Sequence, residues 1–595
     1  MGALSSSLNQ DLSQNDLLLK FVGKDHIPLQ DAFWNDLLSF PYKPLTVEDD
    51  KKLFEKNKFL FNHLAINNLK TGNFGTLLRI FLKKSSYLLQ SSNNAVTKYS
   101  LQTYNALLVT RYYLQHLVHK FPECEVIKHI ENRGSMSRDA FKAESLVVQL
   151  INGLMNILIA LPIFHDTNPV RRESINALLV LLSIELFTTE SITELKLYNI
   201  IFGSSKSRDL GLALITTFSN QGKDLSAQGS SFFGLGDIVG LLLPATENEV
   251  PSLSRSAALL LIVLVNQYIA SANPYRNVLS SISDFSKLYH NICIALEYEE
   301  TTLLLYHLLH RNEQFKTFVL SQSDIDILVV PMLRAIYHAN DSSCHHMYMS
   351  LIILLILTED VEFNKKVHEI VLKSVSWYVD RQLSEITLGG LIILVTTRTI
   401  QYNLLKMRDE YLHTNCLAAL ANMSSQFSNL NSYVCQRLVG LFEVLAKTYN
   451  RAKQELVAIE KALRIILEVL NSCLSNQLIS NTNLIYTMLY NKHIFDTFRN
   501  NPAFQDIISN ITQVLEYFIS KLETEKDVCT DVDTVLKVIV DSSPKWPSHR
   551  LQKFPELKFK YVEEEKPEEF FIPYVWSLVS DYSSVYLQSS SFKKC

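Results

Sequence analysis

The sequence predicts an all-α protein built from stacked helical hairpins. Of its 595 residues 47% are hydrophobic, whereas only 16 are glycine and 16 are proline. So few glycines and prolines leave few tight turns, which favours long helices over many-turned β architectures. Apolar residues recur at the i, i+3, i+4 spacing of amphipathic helices, as at Tyr104, Leu107 and Leu108. No sustained two-residue alternation that would make a sheet is evident.

The helical segments are separated by short breaks with turn chemistry, and they are of two kinds. Most are amphipathic, but residues 257–270 and 347–358 are apolar on every side. In stacked hairpins an inner helix contacts the helices of both neighbouring hairpins, while an outer helix has one face exposed to solvent. We therefore predict an irregular armadillo/HEAT-like α-solenoid over residues 16–545. The breaks lie at Thr71-Gly72-Asn73, Asn168-Pro169, Asn273-Pro274 and Asn501-Pro502.

Two stretches depart from the helical pattern. Residues 203–236 are rich in Gly, Ser and Lys, which predicts a loop around one short helix. Residues 545–595 are rich in aromatics and prolines, and they cannot form one helix because Pro567 and Pro573 interrupt it.

The ends of the chain complete the predicted organisation. We expect a flexible tail at 1–15 and a segment at 546–580 that folds back and caps the last repeat. A second flexible tail is predicted at 581–595.

Composition excludes several classes of protein. The 56 Lys and Arg against 60 Asp and Glu give a net charge of −4, which is no mark of a nucleic-acid binder. The eight cysteines are scattered without a C-x-x-C pair, as expected of core residues in a reducing compartment. The start lacks the basic region of a signal peptide, and no apolar run approaches the roughly 20 residues of a membrane span.

The first residues fit an acylation motif. Met1-Gly2-Ala3-Leu4-Ser5-Ser6 matches M-G-x-x-x-[ST], so removal of Met1 would expose Gly2 for N-myristoylation. One myristoyl chain binds membranes only weakly and reversibly, and no nearby polybasic patch supplies a second signal. The alternative is that Gly follows the initiator Met by chance.

A glycine-containing segment near the middle of the chain has two interpretations. Gly234-Leu235-Gly236 has neither the spacing nor the preceding strand of a dinucleotide site. The segment either packs as another helix or forms an exposed apolar hairpin that contacts lipid or a partner. The residues of that membrane or partner contact would be Phe232, Phe233, Leu235 and Ile238.

Motifs of enzyme chemistry are missing. His307 and His310 lie three apart, and His345 adjoins His346, but neither pair has the H-E-x-x-H pattern of a metal site. We therefore predict no catalytic residues, no metal and no cofactor. An enzyme that assembles its residues across repeats would escape such a search.

The acidic run near the C-terminus is either a solvated loop or a docking element for a partner. Aromatic residues at 559, 561, 570 and 571 bracket it, which favours the second interpretation. The candidate docking residues are Glu563, Glu564, Glu565, Phe570 and Phe571.

Several long strings in this order resemble the dymeclin family over nearly the whole chain. They are FWNDLLSF at 33–40, TGNFG at 71–75, NPYR at 273–276, SLIILLILTED at 350–360, YLHTNCLAALANMS at 411–424 and FPELKFKYVEEEKPEEFFIPYVWSL at 554–578.

The resemblance implies a non-enzymatic peripheral protein that moves between cytoplasm and Golgi apparatus. It implies roles in Golgi organisation and vesicle trafficking, a link to skeletal development, and N-myristate on Gly2. Its partners would be proteins at Golgi membranes, with no nucleic acid. Segments 203–236 and 450–462 depart from vertebrate members, and Cys595 could be a second lipid site. The alternative is a karyopherin-type adaptor that binds a small GTPase and cargo.

Overall fold

The computed structural model describes residues 15–40, 45–91, 96–132, 144–220, 251–267, 272–338, 344–451, 456–524 and 531–587. Within these ranges the fold is all-α apart from two short strands, so the predicted fold class is confirmed. The helices group into two compact units, which are described separately. Unit 1 comprises residues 1–292 and 564–595, and unit 2 comprises residues 293–563.

Unit 1 contains the N-terminal helices and the last helix of the chain. They are α1 (Asp16–Phe21), α2 (Phe33–Leu37), α3 (Val47–Thr71), α4 (Asn73–Gln90), α5 (Val96–Lys120), α6 (Glu123–Glu131), α7 (Leu146–Ala160), α8 (Asn168–Leu182), α9 (Lys196–Gly203), α10 (Ser207–Ser219), α11 (Leu253–Asn266), α12 (Pro274–Ser281), most of α13 (Ser286–Ala295) and α27 (Pro567–Tyr582).

Unit 2 begins within α13 and contains the remaining helices and both strands. They are α14 (Glu299–Arg311), α15 (Glu313–Ser321), α16 (Ile325–Tyr337), α17 (Cys344–Thr358), α18 (Val361–Lys366), β1 (Val371–Leu372), β2 (Ile386–Thr387), α19 (Leu388–Tyr402), α20 (Glu410–Met423), α21 (Ser432–Arg451), α22 (Leu456–Asn476), α23 (Thr482–Tyr490), α24 (Lys492–Asp496), α25 (Gln505–Thr524) and α26 (Val532–Ser542). The strands pair antiparallel, with Val371 opposite Thr387.

Successive helical hairpins stack in two layers inside each unit. In unit 1, layer A consists of α5, α8 and α11, each packed on the next, and layer B consists of α4, α7, α10 and α12. In unit 2, layer A runs α14, α17, α20, α22 and α25, and layer B runs α16, α19, α21, α23 and α26. Within a hairpin a layer-B helix packs against the layer-A helix that follows, as α19 does against α20. The stacked hairpins predicted from the sequence are therefore confirmed.

The predicted breaks between helices are confirmed by their backbone chemistry. Gly72 separates α3 from α4 with φ 69°, a left-handed conformation that glycine adopts without strain. Asn273 caps α12, since its side-chain oxygen accepts from the amide nitrogens of Tyr275 and Arg276, and Pro274 takes the first helical position.

The helices predicted to be apolar on every side lie in the core. Every residue of α11 is buried except Arg255, and α17 is buried continuously from Met349 to Thr358. None of the described helices is both long and apolar enough to cross a bilayer.

Two expectations about irregular segments need correction, and one can be compared only in part. Within residues 203–236, where a loop around one short helix was predicted, α10 is one short helix at Ser207–Ser219, and residues 221–236 lie outside the described ranges. Pro573 does not interrupt the last helix, because α27 continues through it and Pro567 occupies its first turn, where no amide hydrogen is needed. Residues 581–587 are no flexible tail, since Val585, Tyr586 and Leu587 are buried.

The close packing of the start of α19 against His368 can be tested by substitution. A Cβ on Gly389 would lie 2.5 Å from the ring of buried His368. We expect Gly389→Ala to lower the free energy of unfolding by about 1–3 kcal/mol, the usual cost of overpacking. The matched control is Gly440→Ala on α21, where a Cβ meets nothing within 4 Å and alanine should stabilise the helix by about 0.5–1 kcal/mol. Equal unfolding midpoints of the two variants in guanidinium would contradict this packing.

Candidate functional site

The polypeptide after α26 forms the most distinctive surface of unit 2. Residues 551–563, here called the strap, are neither helix nor strand. Leu557, Phe559 and Tyr561 are half-buried, whereas Lys558 and Lys560 between them are exposed. This alternation is that of an extended chain with one face on the protein. The strap was predicted to cap the last repeat, but its contacts reach layer A of unit 2 from α25 back to α14.

Two asparagines hold the strap by its backbone. Asn510 on α25 accepts from the Gln552 nitrogen at 2.9 Å and donates to the Gln552 oxygen at 2.8 Å. Asn422 on α20 accepts from the Phe559 nitrogen at 2.8 Å and donates to the Phe559 oxygen at 2.9 Å. A side-chain carboxamide carries one acceptor and two donors, so each asparagine bonds the strap as a neighbouring β-strand would.

A polar and aromatic cluster holds the far end of the strap. Glu359, just after α17, accepts from the Tyr561 nitrogen at 3.1 Å. The Tyr561 ring stands edge-on to Tyr306 of α14, with 5.8 Å between centroids, and the two hydroxyls are 3.1 Å apart. The Tyr306 hydroxyl also donates to Glu563 at 3.1 Å, and the guanidinium of Arg311 lies 3.6 Å from the same carboxylate. Burial raises the pKa of Tyr306 well above its usual range, so its hydroxyl remains a donor.

A buried ionic cluster in unit 1 binds the residues that follow α27. Arg111 on α5 is 1% exposed and pairs with Glu173 of α8 and with Asp50 of α3. It also donates to the Ser584 oxygen at 2.8 Å. The Tyr586 hydroxyl donates to Asp50 as well. Residues 584–586 are thereby fixed by charged groups that are almost fully buried.

The helix α27 is anchored to unit 1 through a buried carboxylate. Glu185, just after α8, accepts from the indole nitrogen of Trp576 and, at 2.9 Å, from the side-chain amide of Gln267. Burial raises its pKa from 4.5 to about 7, although these donors favour the charged form. The carboxyl therefore titrates close to neutral pH.

The sequence-predicted site residues fall into two groups. Gly2, Cys595 and the apolar residues Phe232, Phe233, Leu235 and Ile238 lie outside the described ranges, as does most of the predicted tail at 1–15.

The predicted docking element is partly used within the chain itself. Glu563 is half-buried and engaged by Tyr306 and Arg311, whereas Phe571 is 3% exposed and so is not available on the surface. Glu564 and Glu565 are exposed, and Phe570 is half-buried with its ring 5.2 Å from that of Phe571. The docking hypothesis is therefore contradicted for Phe571, which is buried on α27, and stays a prediction for the other four residues.

Sequence reasoning missed the residues that hold the C-terminal segment. Arg111, Asn422 and Asn510 are polar residues that follow or adjoin apolar residues at helical spacing. A polar group buried in that way needs a hydrogen-bonding partner, which was the available signal. The alternation from Leu557 to Glu563 was the signal for the strap. Among the described residues no group of three or more His, Cys, Asp or Glu is arranged to hold a metal ion.

Comparison with known proteins assigns the family. The family model described as "Dymeclin: Dyggve-Melchior-Clausen syndrome protein" matches residues 1–578. This chain belongs to the dymeclin family. Dymeclin of Drosophila melanogaster is 38% identical over 696 aligned positions that cover 99% of each chain, and dymeclin of Xenopus laevis is 38% identical over 97% of each.

A solved structure matches this dymeclin-family chain only distantly. The crystal structure of Kap121p covers 97% of the chain and 55% of its own length, at 11% sequence identity and a TM-score of 0.25. With a TM-score this low, neither structural details nor the function of that protein can be inferred for this chain.

Loss of the buried cation should weaken unit 1 severely. Arg111→Met leaves Asp50 and Glu173 buried without a counter-ion, which should cost about 3–5 kcal/mol of unfolding free energy. The matched control is Lys52→Ala, which removes an exposed pair with Glu48 and should cost less than about 0.5 kcal/mol. Guanidinium unfolding followed by circular dichroism measures both, and a loss below about 1 kcal/mol for Arg111→Met would contradict the burial of the cluster.

The pKa of Glu185 predicts a pH-dependent attachment of α27. Because folding raises this pKa from 4.5 to about 7, the native state binds the proton more tightly and stability declines as pH rises between those values. Glu185→Gln should match the wild-type thermal midpoint at pH 5 and exceed it at pH 8. Glu190→Gln, at an exposed carboxylate nearby, should follow the wild-type profile throughout. Parallel profiles for wild type and Glu185→Gln would refute the shift.

Proposed function

We propose that this dymeclin-family protein is a non-enzymatic scaffold or tether of Golgi membranes. It supports Golgi organisation and vesicle trafficking, and it associates reversibly with the membrane through N-myristate on Gly2. Family membership supports the Golgi assignment through the resemblance described above. The layered helices support a scaffold because stacked hairpins offer long surfaces to protein partners.

The observation that carries the membrane part of this proposal is the surface where the described chain begins. The side chain of Asn67 on α3 donates to the Val22 oxygen at 2.8 Å, and His26 bonds the Thr71 oxygen at 2.6 Å. The chain that follows α1 therefore lies against the end of α3. On α3, Ile66 is 72% exposed and Leu69 is 50% exposed.

This corner carries the features of a weak lipid contact next to the acylated end. Residue 2 precedes the first described residue by thirteen positions, so an acyl chain on Gly2 is tethered to α1 by at most about 45 Å of chain. Three exposed lysines, Lys20, Lys24 and Lys70, attract anionic headgroups, and Asp16 and Asp25 offset part of that attraction.

The energetics of such an anchor favour exchange between membrane and cytoplasm. A single myristoyl chain binds with a constant of about 10⁴ M⁻¹, and exposed apolar side chains add a modest increment. A protein partner on the same membrane completes the attachment, since a second linked contact forms at high effective concentration. Binding of that partner thus determines the time the protein spends at the membrane.

The acyl anchor is tested by mass and by flotation. Wild-type protein expressed in eukaryotic cells should lose Met1 and gain about 210 Da, the mass of one C14 acyl group. After purification it should float with liposomes that contain anionic lipid. Gly2→Ala should lack the added mass and stay in the soluble fraction with an unchanged fold. Ala3→Ser keeps the motif and should float like wild type.

The lipid-facing corner is tested in the same flotation assay. Ile66→Asp should reduce flotation of the acylated protein several-fold, whereas Ile479→Asp, at a residue that is 64% exposed in unit 2, should not. Undiminished flotation of Gly2→Ala would reject the acyl anchor, and equal flotation of the two aspartate variants would reject the corner.

A further inference from the structure

The strap is bound in the manner in which proteins bind extended peptides. Its backbone is held by the side chains of three residues on or just after layer-A helices, Asn510, Asn422 and Glu359, while its side chains point alternately towards the protein and the solvent. In strand-type recognition the main-chain hydrogen bonds give affinity, and the pockets for alternate side chains give specificity. Five residues on or next to layer-A helices are here called the strap site: Tyr306, Glu359, Asn422, Asn471 and Asn510.

The spacing of the strap site is within reach of an extended chain. Seven residue steps lead from Gln552 to Phe559 and span at most about 23 Å at about 3.3 Å per residue. Asn510 and Asn422 stand on α25 and α20 with α22 between them, so two helix-to-helix steps of about 8–10 Å separate them. The two asparagines thus bind the extended strap from two layer-A helices, α20 and α25, that are separated by one other helix, α22.

The buried amides of the strap site need a hydrogen-bonding partner, but most of their hydrogen bonds do not depend on the sequence of the bound segment. Asn510 is 1% exposed and Asn471, which accepts from Asn510 at 3.1 Å, is 6% exposed. A buried amide left without a hydrogen-bonding partner is destabilising, so the site favours a bound backbone over an empty state. Any non-proline residue provides the nitrogen and oxygen that the asparagines bind. Selectivity comes from the ring contact of Tyr561 with Tyr306 and from the cation Arg311, which faces Glu563.

The strap itself is held loosely for a segment inside a folded unit. Leu551 is its only buried residue, and Val562 is 80% exposed. Its retention therefore depends on the covalent tether, since a linked segment acts at an effective concentration on the order of millimolar.

We propose that the strap site is a binding site for an extended segment of a partner protein, which the chain's own strap occupies until that segment displaces it. The partner segment carries apolar, aromatic and acidic residues in alternate positions, in the pattern of Leu557, Phe559, Tyr561 and Glu563. This contact supplies the protein partner that the scaffold function requires, and to that extent it rests on the proposed function.

The first test is amide hydrogen exchange on the unaltered full-length chain. The amides of Gln552, Phe559 and Tyr561 should exchange at least about 100-fold faster than amides at the centres of α20 and α25, since the strap opens while the helices remain folded. Exchange of the strap only together with these helices would overturn the proposal, because a permanently bound strap leaves no site for a partner.

The second test measures binding in trans. A fluorescein-labelled peptide of residues 550–566 is titrated into full-length protein, and its anisotropy is recorded without membranes. Phe559→Ser with Tyr561→Ser weakens the tethered strap and should raise peptide affinity at least tenfold over wild type. The matched control, Lys558→Ser with Lys560→Ser, changes the solvent-facing side of the same strap and should bind peptide like wild type.

The strap site itself is tested in the strap-weakened chain. Adding Asn422→Ala should reduce peptide affinity about tenfold, because it removes both bonds to Phe559. Equal peptide affinity for wild type and for the folded strap-weakened variant would overturn the proposal. If that variant does not fold, hydrogen exchange on the wild-type chain decides. Because neither test involves acylation or lipid, failure of the Gly2 anchor leaves both results interpretable.

Discussion

The constraint on which the fold depends is that its central helices are apolar on every side. The helix α11 has almost no polar surface, so α8, α10 and α12 together with α27 must cover it. The first three come from the repeating hairpins, but α27 comes from more than 290 residues further along the chain. Burial of that helix contributes a large hydrophobic free energy, which explains why residues far apart in sequence remain together in unit 1.

The two parts of the C-terminal segment are held by different chemistry and so differ in strength. In unit 2 the strap backbone is bound by the neutral amides of Asn422 and Asn510 and by the partly exposed carboxylate of Glu359, and a typical hydrogen bond between neutral groups contributes about 1 kcal/mol. In unit 1 the residues after α27 contact a guanidinium and a carboxylate that are almost fully buried, where separation leaves a buried charge. One part is thus suited to exchange with other ligands, while the other part is permanently attached.

The sequence predicts most of the fold because helices are local structures. The stretches at 257–265 and 351–357, the Asn-Pro starts and the Gly72 break are all visible in windows of fewer than twenty residues. The contacts of the C-terminal segment could not be predicted in that way, since Asn422 and Phe559 are 137 residues apart and Asp50 and Tyr586 are 536 apart. Periodicity indicates that a polar residue in an apolar helix needs a partner, but it does not identify the partner. The local rule about proline also failed at Pro573, where burial of α27 outweighs one missing hydrogen bond.

The position of Tyr586 and Ser584 in unit 1 has a consequence for synthesis of the chain. Arg111 and its carboxylate partners emerge from the ribosome in the first third of translation, but the residues that complete their surroundings emerge last. At about 5–20 residues per second, 595 residues take roughly 30–120 s to make. During that time α5 and α11 lack their final cover, and a nascent unit 1 exposes apolar surface of the kind that chaperones bind. Unit 1 therefore cannot be completed before residue 586 has been translated, and a chain truncated shortly before residue 584 would keep this surface exposed.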